Sequence, residues 1–180
     1  MFKWLRRFFL LEKEQEIVDV FAPFDLDNGF VLTEPDILIP WQFTTDILQS
    51  IGNPVVQGES DFFTWPNQNV FGVLVADVVV SPHYLTMVDK PGMKFAEFQV
   101  KPKLKLGELF DDVKHMYEFT TQRVIDALGS PHITKSNQSL AGDELPDLKW
   151  IYGSVTVFIV VRDRFVDYLN FRITKTFSQV

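Results

Sequence analysis

A chain of 180 residues with 46% hydrophobic and 14% aromatic residues carries enough apolar material to offset the ordering entropy of a packed core, which excludes intrinsic disorder. It has no cysteine, so disulfides, thiolate metal sites and cysteine nucleophiles are excluded as well. The net charge of −7 is unevenly spread: residues 1–13 sum to +3, residues 14–89 hold twelve acids and not one Lys or Arg, and residues 90–180 sum to +2. A base-free run of that length sets up a negative field that repels nucleic acid and attracts a basic partner.

Residues 1–15 predict an N-terminal amphipathic helix, with Trp4, Phe8 and Leu11 on one face, Phe2, Leu5 and Phe9 on another, and Arg6 and Arg7 between them. The apolar run there ends at Leu11, short of the roughly 7–15 residues of a signal-peptide core, and no window approaches the roughly 18 apolar residues of a membrane span. The expectation is a soluble, cytoplasmic chain without a transmembrane segment, in which residues 1–13 could make a weak peripheral membrane contact. Ile17–Phe21 predicts a strand that Pro23 ends, and Asp25–Pro40 reads as a loop punctuated by Asp27-Asn28-Gly29, Pro35 and Pro40. Its acids lack the ligand spacing of an EF-hand.

Phe43-Thr44-Thr45 opens a short helical pattern through Ile47, Leu48 and Ile51, with Gly52 in the left-handed position that closes a helix and Pro54 forbidding its continuation. Trp65 and a turn at Pro66–Asn69 follow. Val70–Val80 then reads as one long β-run bent at Gly72, Tyr84–Val88 as a strand, Pro91-Gly92 as a turn, and Phe95–Val100 as a strand with Phe98 and Val100 inward. The strongest helix is a pattern through Leu109, Val113, Met116, Tyr117, Thr120, Val124, Ala127 and Leu128, stopped by Gly129-Ser130-Pro131, with a break expected near Thr120-Thr121. Ser136–Pro146 reads as a polar, mobile loop. Ile151–Val161, a turn at Arg162–Arg164 and Phe165–Thr174 read as a hairpin.

Phe-Thr-Thr, a Gly-x-Pro stop and a later tryptophan thus occur twice, which points to internal duplication. The expected architecture is α+β: a mainly antiparallel sheet with helices on one face, built as two tandem helix–loop–strand–strand units over residues 41–105 and 106–180 of one compact domain, plus the N-terminal helix.

The search for chemistry returns little. Of His83, His115 and His132, only His115 has an oriented carboxylate in helical range, Asp111, and their shared face reads as solvated surface. No phosphate-binding glycine loop, nucleophile elbow, zinc-protease motif or dinucleotide fingerprint is present, so neither an enzyme nor a cofactor or metal site is expected. Lys101, Lys103 and Lys105 beside Phe95 and Phe98 come nearest to a nucleic-acid patch, but read better as a strand edge guarded by lysines.

The run Leu128-Gly129-Ser130-Pro131, the polar loop, Trp150, Gly153 and the strand Leu169-Asn170-Phe171-Arg172-Ile173 resembles the small acidic α+β immunity proteins encoded beside bacterial polymorphic and contact-dependent toxins, over about the last sixty residues and with an echo in residues 43–80. The resemblance implies a cytoplasmic, non-catalytic binder that blocks a cognate toxin; it carries over no functional residue. The charge argument independently nominates Asp25, Asp27, Glu34, Asp36, Glu59 and Asp61 as a face for a basic protein partner. A homodimer is compatible with the same features. The competing reading is a chaperone or adaptor of a secretion or membrane-associated assembly that uses the Phe-rich N-terminal helix.

Overall fold

The computed structural model describes residues 24, 26–33, 36–56, 62–81, 94–104, 110–163 and 166–177. The expected N-terminal helix, the strands at Ile17–Phe21 and Tyr84–Val88 and the Pro91-Gly92 turn lie outside them.

Eight strands form one antiparallel sheet, and its order carries the main lesson. After a short helix α1 (Thr45–Ser50) come β3 (Val55–Val56), β4 (Phe63–Val70), β5 (Leu74–Val80) and β6 (Lys94–Pro102). After the longer α2 (Val113–Leu128) come β7 (Ile133–Lys135), β8 (Asp147–Tyr152), β9 (Val155–Asp163) and β10 (Asp167–Phe177). The spatial order is β3-β4-β5-β6-β10-β9-β8-β7, so each helix leads into a four-stranded meander and the last strands of the two meanders pair at the centre. The preceding strands β1 (Gly29–Thr33) and β2 (Asp36–Pro40) form a separate two-stranded hairpin.

The two halves share a joint. The indole N–H of Trp65 donates to the Ile51 carbonyl at 2.9 Å, and that of Trp150 to the Gly129 carbonyl at 2.8 Å. Ile51 and Gly129 are the C-cap residues of α1 and α2, whose carbonyls have no partner within their own helix. A buried tryptophan on the second strand of each meander therefore ties down the end of the helix before it.

One side of the sheet carries the core: Phe63, Trp65, Val78, Phe98, Val100, Trp150, Val157, Ile159, Phe171 and Ile173 are all buried. The β1–β2 hairpin lies on it, bringing Phe30, Trp41 and Phe43 against the Phe98 ring at centroid distances of 5.4, 4.9 and 6.0 Å. No side chain fits at Gly29, because a Cβ there would run into the Ile39 carbonyl of the paired strand. The helix α2 presents Tyr117, Thr120 and Val124 to the same core.

The α+β assignment is overturned. The described chain is a mostly antiparallel β structure with two helices, of 6 and 16 residues, and the hairpin supplies much of the second layer. Each unit also has four strands after its helix rather than two. The shortfall has a local cause: two-residue turns hidden inside apolar runs. Val70–Val80 is two strands, because Phe71 (φ 56°) and Gly72 (φ 74°) both take the left-handed conformation of a tight hairpin turn closed by Val73 N–H to the Val70 carbonyl at 3.2 Å. Phe71 is the misleading residue there: it pays the left-handed strain because its ring is buried, 6.5 Å from that of Phe171. Ile151–Val161 is likewise split at Gly153-Ser154, where Gly153 has φ 55°. The turn expected at Pro66–Asn69 is instead a bulge within β4, marked by a register shift between Trp65 and Gln68.

Two more expectations need correcting. The helix α2 runs unbroken through Thr120-Thr121. The segment Ser136–Pro146 is not a loose loop: Leu145 is buried, Asn137 Nδ2 donates to the Val161 carbonyl at 2.9 Å, and Lys114 pairs with Asp143 at 2.9 Å. Tyr117 closes it, donating its hydroxyl to the Pro146 carbonyl at 2.5 Å. Burial pushes the Tyr117 phenol up to about 12, and burial also raises that of Tyr152. Unfolding returns both to ordinary values near 10, so the unfolded chain holds fewer protons above pH 10 and stability must fall as pH rises from there towards 12. Tyr117→Phe is expected to flatten that alkaline decline in urea titrations at pH 9 to 11; an unchanged slope counts against the assignment.

Candidate functional site

The sheet's central pair stops short at one end. β6 and β10 are paired from Lys94↔Phe177 to Val100↔Phe171 and no further. Beyond that point β6 continues with β5 as far as Pro102↔Ala76, and β10 continues with β9 as far as Asp167↔Asp163. The two meanders are thus no longer paired at one end of their seam.

Two cavities flank this end. One, of about 410 Å³, lies against Gln99, Lys101, Tyr168, Asn170 and Arg172. The other, of about 380 Å³, lies against Pro102, Val113, Met116 and Asp167, and shares Lys101, Tyr168 and Leu169 with the first. Around them the surface is unusually apolar: Leu140, Val166 and Tyr168 are 60%, 68% and 37% exposed. Asp167, between Val166 and Tyr168, accepts the Leu140 N–H on its carboxylate at 2.8 and 3.1 Å and so pins the 137–145 loop to the start of β10.

Behind the Arg172 and Gln99 that line the larger cavity lies a buried carboxylate. Glu97, only 2% exposed, accepts from Arg172 Nη1 at 2.9 Å and from Gln99 Nε2 at 3.2 Å, while Arg172 Nε donates to Asn170 Oδ1 at 2.5 Å. Arg172 lies diagonally across the seam from Glu97, since its own register partner is Gln99. At the mouth stands Lys101, exposed and without an ion-pair partner among the described residues; its neighbour Lys103 is bound to Asp77 at 2.7 Å. The expectation that the lysines guard a strand edge does not hold, because β6 is a central strand, and Phe98 is in the core on the opposite side.

The residues nominated from sequence are placed differently. Asp27 and Asp36 are both exposed but sit at opposite ends of the β1–β2 hairpin, whose strands are about 13 Å long. Asp27 is held by its main chain, whose carbonyl accepts from Lys175 Nζ. Asp25, Glu34, Glu59 and Asp61 lie outside the described residues, as do His83, Lys105 and residues 1–13. His115 Nδ1 stands 3.4 Å from Asp111 Oδ2 without making a hydrogen bond; that nitrogen is shielded from solvent and the ring lies edge-on to Phe110, whereas Asp111 is 89% exposed at the start of α2. His132 has a structural part: its Nδ1 accepts the Ile151 N–H at 2.8 Å and its ring meets Tyr152 edge-on. Among the described residues no three His, Asp or Glu side chains gather as metal ligands, and no helix is long and apolar enough to cross a membrane.

Sequence reasoning missed the seam because its parts are 60 or more residues apart. The one local signal was Pro102, which cannot donate within a sheet ladder. The chain matches no protein-family model, no curated protein and no solved structure.

Proposed function

We propose that this chain is a non-catalytic protein-binding module that docks its partner at the open end of the β6–β10 seam. The observation that carries this is the exposed Tyr168, lining two cavities where the central ladder stops, with exposed Val166 beside it in the chain and exposed Leu140 tied to the same strand start through Asp167. Large exposed apolar side chains that cluster, with a tyrosine and an arginine among them, are the composition of a docking surface rather than of ordinary solvated surface. The base-free run over residues 14–89 adds a long-range negative field that speeds encounter with a basic protein. Together they favour a cytoplasmic neutraliser, of the immunity-protein kind, for a basic effector.

The test uses the full chain as bait for its partner in lysate of the native host. Val166→Asp with Tyr168→Ala is expected to weaken capture tenfold or more, whereas Val55→Asp, an equally exposed apolar position on the far edge strand, leaves it unchanged. Asp27→Lys with Asp36→Lys is expected to slow association and reduce its salt dependence without altering dissociation. A partner that ignores the seam variants, or is lost equally with Val55→Asp, rejects the reading.

A further inference from the structure

Along a strand, successive residues turn their N–H and C=O groups to opposite neighbours. The bond from Lys103 N–H to the Val75 carbonyl, 2.9 Å, fixes which way β6 faces: Lys103, Lys101 and Gln99 turn to β5, and Pro102, Val100 and Phe98 to β10. In β10 the bond from Thr176 N–H to the Ser154 carbonyl, 2.9 Å, turns the even-numbered residues to β9 and leaves Phe171, Leu169 and Asp167 facing β6. Val100 and Phe171 are the last pair, and the next residues to face each other are Pro102 and Leu169. Proline has no N–H, so the Leu169 carbonyl receives no bond from β6, and past Pro102 the strand has ended while Asp167 still faces that side. Among the described residues, Asp167–Leu169 is therefore a short strand edge that the β6 ladder does not pair, in the middle of an eight-stranded sheet.

A chain laid along that edge sends alternate side chains to the two sides of the sheet, and there is a cavity on each. The helix-side cavity, against Pro102, Val113, Met116 and Leu169, is suited to an aliphatic side chain. The opposite cavity holds Arg172, already bound to Glu97, and the Lys101 ammonium, which has no carboxylate partner among the described residues. It is suited to an acid. We infer that the Asp167–Leu169 edge takes an extended segment of the partner by strand addition, seating an aliphatic side chain on the helix side and the adjacent Asp or Glu against Lys101. This rests on the protein-binding reading above and names its mode. The acid required here is one side chain at contact range, which a partner of net basic charge can supply.

The experiment is selection of phage-displayed random octapeptides on the immobilised full chain, in parallel with its Lys101→Glu variant. Enriched peptides are expected to place Asp or Glu directly beside an aliphatic residue, and Lys101→Glu to exchange that acid for Lys or Arg. N-methylating alternate amides of the best peptide is expected to weaken binding at least tenfold for one set of amides and little for the other, since only one set faces the edge. No enrichment, the same peptides on Lys101→Glu, or indifference to N-methylation overturns the inference. The outcome is separable from that of the docking reading: a whole partner lost on Val166→Asp with Tyr168→Ala, yet peptides without the acid preference, keeps the site and rejects strand addition.

Discussion

Trp150→Ala is expected to lower the unfolding free energy by about 4 kcal/mol, and Trp65→Ala by a similar amount, from the usual cost of emptying a fully packed aromatic site. Both indoles are essentially without solvent exposure. Each substitution also removes the N–H that satisfies a helix C-cap carbonyl, at Gly129 or at Ile51, and an orphaned carbonyl in a part-buried joint adds roughly 1–3 kcal/mol. Trp→Phe separates the two contributions, keeping most of the ring while losing the bond, and should cost about 1–2 kcal/mol at either position. Urea midpoints with an unchanged slope are the measurement. If the halves fold as one cooperative body through the β6–β10 ladder, the two alanine variants produce single transitions of equal slope; a second transition in either would show the halves uncoupling. A cost under 1 kcal/mol at either tryptophan rejects the joint as drawn.

The second large effect is an asymmetry. Arg172→Ala leaves the Glu97 carboxylate, 2% exposed, with only the Gln99 amide, and is expected to cost about 3 kcal/mol. Glu97→Gln leaves Arg172, whose side chain is 34% exposed, free to regain water and keeps a neutral acceptor in place, and should cost about 1 kcal/mol. Because one member of the pair is out of solvent, raising the salt to 1 M should leave most of the difference standing. Equal costs, or a larger one for Glu97→Gln, would mean that the carboxylate is not enclosed as its exposure indicates. The pair spans the two halves of the sheet, so Arg172→Ala should also loosen the larger cavity and reduce partner capture, whereas Glu97→Gln should spare it.

Which parts of this were legible in the chain follows from distance along it. Leu128-Gly129-Ser130-Pro131 stops α2 where the residues say it should, with Gly129 at φ 79° bonded back to the Ile125 carbonyl, because capping is decided within one turn. The alternation of Leu169, Phe171 and Ile173 set the inward face of β10 correctly for the same reason. Gly72 was visible as an irregularity but not as a reversal, and Gly153 as neither, since a two-residue turn inside a β-branched run differs from a bend only in what the next strand pairs with. The six residues of α1 show helical spacing yet cannot make a layer, and the hairpin that does so was read as loop because Asp27-Asn28-Gly29 and Pro35 dominate its local signal.

By itself the sequence determined the charge division at residues 13 and 89, the absence of thiol chemistry, the helix stops and the twice-used tryptophan. Tertiary structure alone decided what those tryptophans hold, that β6 and β10 meet at the centre, and that their ladder fails at Pro102. The division is physical: caps, turns and alternation are set by neighbours a few residues away, whereas the seam joins Glu97 to Arg172 across 75 residues, and no local pattern encodes a partner that far along the chain.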